Sequence, residues 1–238
     1  MNSIRKHFIH LIVAALFASF AVATSHAGSN FLGGARFNAG LPQGDWNEQI
    51  DTEAYGAAAQ IFYAPDTSPV AIGLDLGWSN YGSDSRDEVF GPHIPDVTVE
   101  VETMNNFVQG FFVLRGQVPR GPVQAYADAL IGFNYLYTET TVGDDDEGDD
   151  IASTTNQDDT AFAFGLGGGV MTPVWQRADG GKGVQQVSID LGARYIWGGE
   201  AEYLREGSIH RENGRVSFET VESRTNLTQI SLGVSTRF

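Results

Sequence analysis

Three sets of side chains in this 238-residue sequence have the types and spacing to do chemistry. The densest is the acidic run at residues 143–150, "GDDDEGDD", which crowds Asp144, Asp145, Asp146, Glu147, Asp149 and Asp150 together. Clustered carboxylates attract hard divalent cations, which take oxygen ligands. The spacing is not that of a helix–loop–helix calcium loop, because the twelfth residue counted from Asp144 is Thr155 rather than glutamate. The second set is Ser208, His210 and Glu212, which a period of two would put on one strand face as nucleophile, base and acid. Nothing near them supplies an oxyanion hole, and "SIHREN" is ordinary polar connection sequence. The third set is dispersed: Arg36, Asp75, Asp128, Asp190 and Arg194 each interrupt a stretch of small and apolar residues.

The elements that carry this third set explain why it matters. About eight segments alternate apolar and polar residues, near 30–41, 53–63, 70–81, 97–115, 124–138, 160–170, 185–198 and 225–238. Such alternation is the signature of a strand with two unlike faces. One face collects residues such as Phe37, Ile61, Leu74, Phe112, Ile131, Phe164, Leu191 and Leu232 and bears no charge. The opposite face carries Arg36, Gln60, Asp75, Gln109, Arg115, Asp128, Asn134, Asp190, Arg194 and Arg237 among glycine, alanine and serine. Segment four fits least well, since Phe107 and Phe111 fall on its polar side. All 8 prolines are expected between the segments, where no ladder hydrogen bond is lost.

The ends and the composition decide which solvent meets the oily face. Residues 1–27 hold Arg5 and Lys6, an apolar run from about Phe8 to Ala23, and a small-x-small site at Ser25–Ala27. That is the pattern of a cleaved secretory signal, the run being shorter than the roughly 20 residues of a spanning helix. Its removal takes the formal net charge of −16 to −18, because Arg5 and Lys6 are its only charges. So acidic a chain argues against nucleic-acid partners. Without cysteine there is no disulfide framework, no thiolate chemistry and no lipidated N-terminus. The mean hydropathy of −0.17 describes a soluble protein, but hydropathy misses strands that turn only alternate residues to lipid. Glycine, 29 of 238, is about 12% against a usual ~7% and suits a crowded all-β interior.

Aromatic residues group at the two ends of the apolar face. Trp78, Tyr135, Tyr137, Tyr195 and Trp197 gather at one end, and Phe31, Tyr63, Phe112 and Phe238 at the other. Two aromatic girdles around an aliphatic band suit the two interfaces of a bilayer. Connections near 64–69 and 116–123 are short, whereas those near 42–52, 82–96, 139–159 and 199–224 are longer and more acidic.

With its signal segment, its roughly ten-residue alternating strands and its closing "GVSTRF", residues 28–238 resemble a small outer-membrane β-barrel of the OmpA, OmpX and opacity-protein kind. The resemblance implies an all-β, eight-stranded antiparallel up-and-down transmembrane barrel in a Gram-negative-type outer membrane. It implies periplasmic termini, extracellular long loops, and Phe238 as the signal read by the barrel-assembly machinery. The interior charges Arg36, Asp75, Asp128, Asp190 and Arg194 are then expected to form one mid-barrel layer. The expected function is non-enzymatic: envelope integrity or surface interaction, with no cofactor and no metal centre. The alternatives are a narrow solute channel through the Arg/Asp interior and, last, a lipid-modifying enzyme. Outer-membrane lipid and lipopolysaccharide are the expected partners; residues 144–150 are read first as a solvated acidic loop, with a loose divalent-cation bridge to lipopolysaccharide phosphates as the alternative.

Overall fold

The computed structural model describes residues 30–50, 52–91, 94–144, 150–178, 183–212 and 215–238. The signal segment therefore lies outside the described residues. Eight strands close into a barrel: β1 (Phe31–Pro42), β2 (Ala54–Tyr63), β3 (Val70–Gly91), β4 (Ile94–Gln117), β5 (Gln124–Asp144), β6 (Asp150–Gln176), β7 (Gln186–Gly198) and β10 (Leu227–Arg237). Each pairs antiparallel with its neighbours in chain order, and β10 closes the circle against β1 from Leu32↔Arg237 to Pro42↔Leu227. Closure leaves no sheet edge, so each barrel strand's backbone is hydrogen-bonded on both sides. A two-stranded hairpin, β8 (Glu200–Glu212) with β9 (Arg215–Arg224), and a one-turn helix, α1 (Asp45–Gln49), complete the structure.

The alternation fixes which way each strand faces. In β2 the residues at even positions, Ala54 to Phe62, are buried within the barrel, while Tyr55, Ile61 and Tyr63 face out. Phe107 and Phe111, which sat awkwardly on the polar parity of the fourth segment, do point inward and are 1% and 2% exposed. Two close approaches hold the wall. A Cβ built on Gly132 would lie 1.8 Å from the Gly110 carbonyl oxygen, and one on Gly56 would lie 1.9 Å from that of Trp78.

Three expectations are corrected. Three of the four long connections are continued pairing rather than loops: β3 and β4 pair on to Gly91↔Ile94 through two register shifts, β5 and β6 to Gly143↔Asp150 through two more, and residues 200–224 form the β8–β9 hairpin. Their many acidic and small residues read as connection sequence, and the cross-strand pairing that builds them is not visible in one strand at a time. The prolines do not all lie between strands. Pro42 ends β1, Pro95 enters β4, and Pro173 sits in β6 where the register against β7 shifts. A bulge or a strand end is where the missing N–H costs no ladder bond. Finally, Phe238 does not join the exposed girdle: it is 2% exposed, and its N–H donates to the Phe31 carbonyl at 2.9 Å.

Gly132→Val tests the wall, because overpacking at such a contact costs about 1–3 kcal/mol or more. The variant is expected to lose the folded, fast-migrating band of unboiled sample that the parent shows on a denaturing gel.

Candidate functional site

Two surfaces define this molecule chemically, an outside belt and an inside network. The belt runs round all eight barrel strands, with Phe37, Leu76, Phe112, Leu166 and Leu232 between 56% and 69% exposed. One rim carries linked aromatics: Trp78 Nε1 donates to the Tyr137 hydroxyl at 3.2 Å, Tyr135 stacks on Tyr137, and Trp197 contacts both Tyr195 and Phe164. At the opposite rim Phe31 meets Tyr63 edge to face at 5.7 Å. Water-soluble monomers rarely expose a continuous apolar patch beyond a few hundred Å².

Inside, three guanidinium groups meet three carboxylates. Asp75 on β3 accepts from Arg36 of β1 and, at 3.2 Å, from Arg194 of β7. Asp128 is gripped side-on by Arg115, whose Nε and Nη2 donate to Oδ1 and Oδ2 at 2.7 and 2.8 Å. Among the described residues no cation stands at ion-pair distance from Asp190, which is held by neutral donors instead. The Tyr126 hydroxyl reaches it at 2.8 Å, Ser235 at 2.9 Å and the Gln60 amide at 3.2 Å. Gln60 also accepts from both Arg36 and Arg115, so one amide joins the three groups into a single network. Above them, Arg194 continues to Gln229 and Gln109, and Gln109 to Asn134.

Arg115 is the most deeply placed member, at 0% exposure. Its guanidinium lies 4.1 Å from the Phe62 ring centroid and 3.9 Å from that of Tyr126, so two aromatic faces share the charge with Asp128. Glycines clear the space. A Cβ on Gly167 would lie 2.6 Å from Arg194 Cβ, and one on Gly169 would lie 2.5 Å from the Tyr126 hydroxyl. A buried charge without such partners costs several kcal/mol, so the network stabilises only as a unit.

The end of the lumen beneath α1 is filled by aromatic rings. α1 delivers Trp46, 1% exposed, whose ring packs edge to face against Tyr81, Phe107 and Tyr203 at 5.8, 5.7 and 6.4 Å. Burial pushes the Tyr203 phenol above the usual tyrosine range. Below the rings lies the polar network, and the side chains together fill the cross-section as expected for eight strands.

The candidate residues thus fare differently. Arg36, Asp75, Asp190 and Arg194 come together within one network. Asp128 joins through Arg115, which the expected charge layer omitted although its polar-face parity was visible. Tyr126, Gln229 and Trp46 were also missed: the first two occupy inward positions that parity marks, whereas nothing in a five-residue helix announces a lid. Asp145, Asp146, Glu147 and Asp149 lie outside the described residues, and Asp144 and Asp150 end the paired stretches of β5 and β6. Among the described residues no group of three or more His, Asp or Glu is placed to hold a metal ion. The side chains of Ser208, His210 and Glu212 lie outside the described residues, on the distal half of β8.

The fold and these two surfaces define a small, closed, up-and-down antiparallel β-barrel with a packed polar interior. Among solved structures the chain is similar to Neisserial surface protein A, at 14% identity over 90% of this chain and 100% of that one, with a TM-score of 0.44. It is also similar to Ail, the attachment invasion locus protein of Yersinia pestis, at 11% identity over 87% and 96%, TM-score 0.37. The N-terminal β-barrel domain of Pseudomonas aeruginosa OprF matches at 12% over 89% and 100%, TM-score 0.35. No family model and no curated protein matches the chain.

Two substitutions probe the network. Asp75→Asn leaves two arginines without their carboxylate and is expected to cost about 3–5 kcal/mol in urea unfolding of the detergent-solubilised barrel. Arg115→Lys keeps the charge but loses the side-on fork and the flat face over two rings, at about 1–3 kcal/mol. Equal stability of both variants and parent would show that the interior charges do not hold the barrel together.

Proposed function

We propose that this chain is a non-enzymatic integral outer-membrane barrel, with a role in envelope integrity or surface interaction. The observation that carries the reading is the direction of its amphipathicity. A barrel in water keeps apolar side chains inside and polar ones out; here the outward belt is apolar and the lumen holds Arg36, Asp75, Arg115, Asp190 and Arg194. Lipid can cover such a belt, and a closed barrel is one of the two forms that satisfy every backbone group in a bilayer. The ten residues of β2 match the 9–11 that a tilted strand needs to cross. The difference between the barrel's ends supports an orientation with termini in the periplasm and long acidic hairpins outside. One end has short turns at 64–69 and 118–123; the other has the extended β3–β4, β5–β6 and β8–β9 pairs. In this reading Phe238, locked against β1, serves the barrel-assembly machinery, and the acidic residues 144–150 meet lipopolysaccharide through divalent cations.

A narrow solute channel is the second reading. It is favoured by buried polar atoms without a partner, namely both side-chain amide atoms of Asn38 and of Gln117, and Arg115 Nη1. Such atoms suit a partly hydrated lumen. The aromatic lid of Trp46, Tyr81, Phe107 and Tyr203 weighs against it.

The mature chain is expected in the outer-membrane fraction, soluble only with detergent and shifting on a gel when boiled. A detergent-free, monodisperse preparation would overturn the membrane assignment. In planar bilayers no conductance steps are expected; stable steps abolished by Asp75→Ala would establish the channel instead. Removing Phe238 is expected to leave the in vitro refolded barrel intact while slowing assembly in cells, measured by pulse-chase of the heat-modifiable form.

A further inference from the structure

The segment that closes one end of the lumen is fastened differently from the strands around it. Residues 44–50, which include α1, run between two clamps. Before them the Gln43 N–H donates to the Asn226 carbonyl at 2.9 Å, and after them the Thr52 hydroxyl donates to the Tyr81 carbonyl at 2.6 Å. Between the clamps the hydrogen bonds are local, from the Glu48 N–H to the Gly44 carbonyl and from the Ile50 N–H to that of Trp46. Among the described residues no hydrogen bond or ion pair ties residues 44–50 to the barrel wall or to the β8–β9 hairpin. Apolar burial alone holds them down: Trp46 and Ile50 are buried, and the indole is boxed in by Tyr81, Phe107 and Tyr203.

The closed arrangement leaves polar atoms dry. Trp46 Nε1 is buried with no acceptor among the described residues, and neither side-chain amide atom of Asn38 has a partner there. Asn38 lies on β1 between Arg36 of the charge network and the α1 end of the strand. A buried indole N–H or amide usually finds a partner, and one without a partner costs its desolvation. Water would satisfy all three atoms once the indole is withdrawn, so opening recovers part of what the ring packing gives up. Gly44 supplies the hinge. Its φ of 60° and ψ of −134° form a conformation almost reserved for glycine, and a Cβ there would meet nothing within 4 Å. The constraint at Gly44 is therefore dihedral rather than steric, and a single such residue can absorb the rotation of a short segment.

We propose that residues 44–50 are a hinged stopper: α1 swings out about Gly44, withdraws Trp46 from its three rings and admits water to a blind vestibule that ends at the Arg36–Asp75–Arg194 network. The shaft stays closed below that network, so the stopper is separate from conduction and does not depend on which side of the membrane it faces. Its control lies in the hairpin. Tyr203, one of the three rings, is on β8, and its hydroxyl is hydrogen-bonded to that of Ser223 on β9 at 2.9 Å, so the ring moves with both hairpin strands. A partner that bends the β8–β9 hairpin removes one wall of the ring box, and the stopper opens without being touched itself.

The chain has no cysteine, so a single introduced thiol reports on the vestibule. Asn38→Cys shortens a side chain whose amide makes no hydrogen bond among the described residues. The folded mature barrel carrying it is treated with a small water-soluble methanethiosulfonate, and the fast-migrating band of unboiled sample verifies the fold of each variant. Slow labelling is expected, at a rate that low urea concentrations leave unchanged, as a local opening requires. Adding Trp46→Ala or Tyr203→Ala is expected to speed it about tenfold or more. Gly44→Ala leaves every ring in place and strains only the closed backbone, and is expected to speed it about fivefold or more. Gly183→Ala, at a positive φ of 97° in the turn between β6 and β7, should label like the Asn38→Cys parent. Where a ring variant loses the folded band, Trp46→Phe and Gly44→Ala decide the matter. Labelling that appears only with urea unfolding, or one rate shared by the parent, the folded ring variants and Gly44→Ala, would overturn the proposal.

Discussion

Charge inside a lumen too narrow for bulk water must be matched atom by atom, and that requirement shapes the rest of this barrel. Eight strands leave a core that side chains themselves fill. Placing Arg36, Arg115 and Arg194 in it obliges Asp75, Asp128 and the polar donors around Asp190 to be where they are. Gln60 takes the central position because an amide can accept from two arginines and donate to a carboxylate at once. The glycines at 167, 169 and 192 follow from the same demand, since a methyl group at any of them would run into Arg194 or Tyr126. A polar interior of this kind is specific rather than merely cohesive. Removing one member leaves its partners without a match.

The outside obeys a different physics. There the side chains need only be apolar and of the right parity, and the belt is accordingly a mixture of Ile, Leu, Val, Phe and Ala with no fixed pairing beyond the aromatic contacts at its rims. The two surfaces meet at the ends of the barrel, and the ends differ. One is stoppered by Trp46 and its ring partners, while the other is open and polar. A molecule whose net charge is −16 thus places six of its 12 arginines in the lumen and at one mouth.

Much of this was legible in the chain itself. The period of two exposed all eight barrel strands, and the charge-free parity identified the belt before any coordinate was known, because a strand places alternate residues on opposite faces whatever lies around it. The mid-lumen charges could be picked out for the same reason: an arginine or aspartate on the small-residue face has nowhere to go but inward. Strand ends were harder. β3, β4, β5 and β6 pair on past the segments that the alternation marks, through register shifts that break a strict period of two.

What the sequence by itself determined is therefore everything that depends on one strand at a time: the all-β class, the two faces, the inward charges and the outward belt. Tertiary structure alone decided who meets whom. That Arg115 takes Asp128, that Asp75 serves two arginines, that α1 drops Trp46 into the lumen and that Phe238 turns inward all depend on strands remote in sequence being brought side by side. Closure sets those distances. A local pattern records the direction in which a side chain leaves its strand, but not the partner that the far wall of the barrel will present to it.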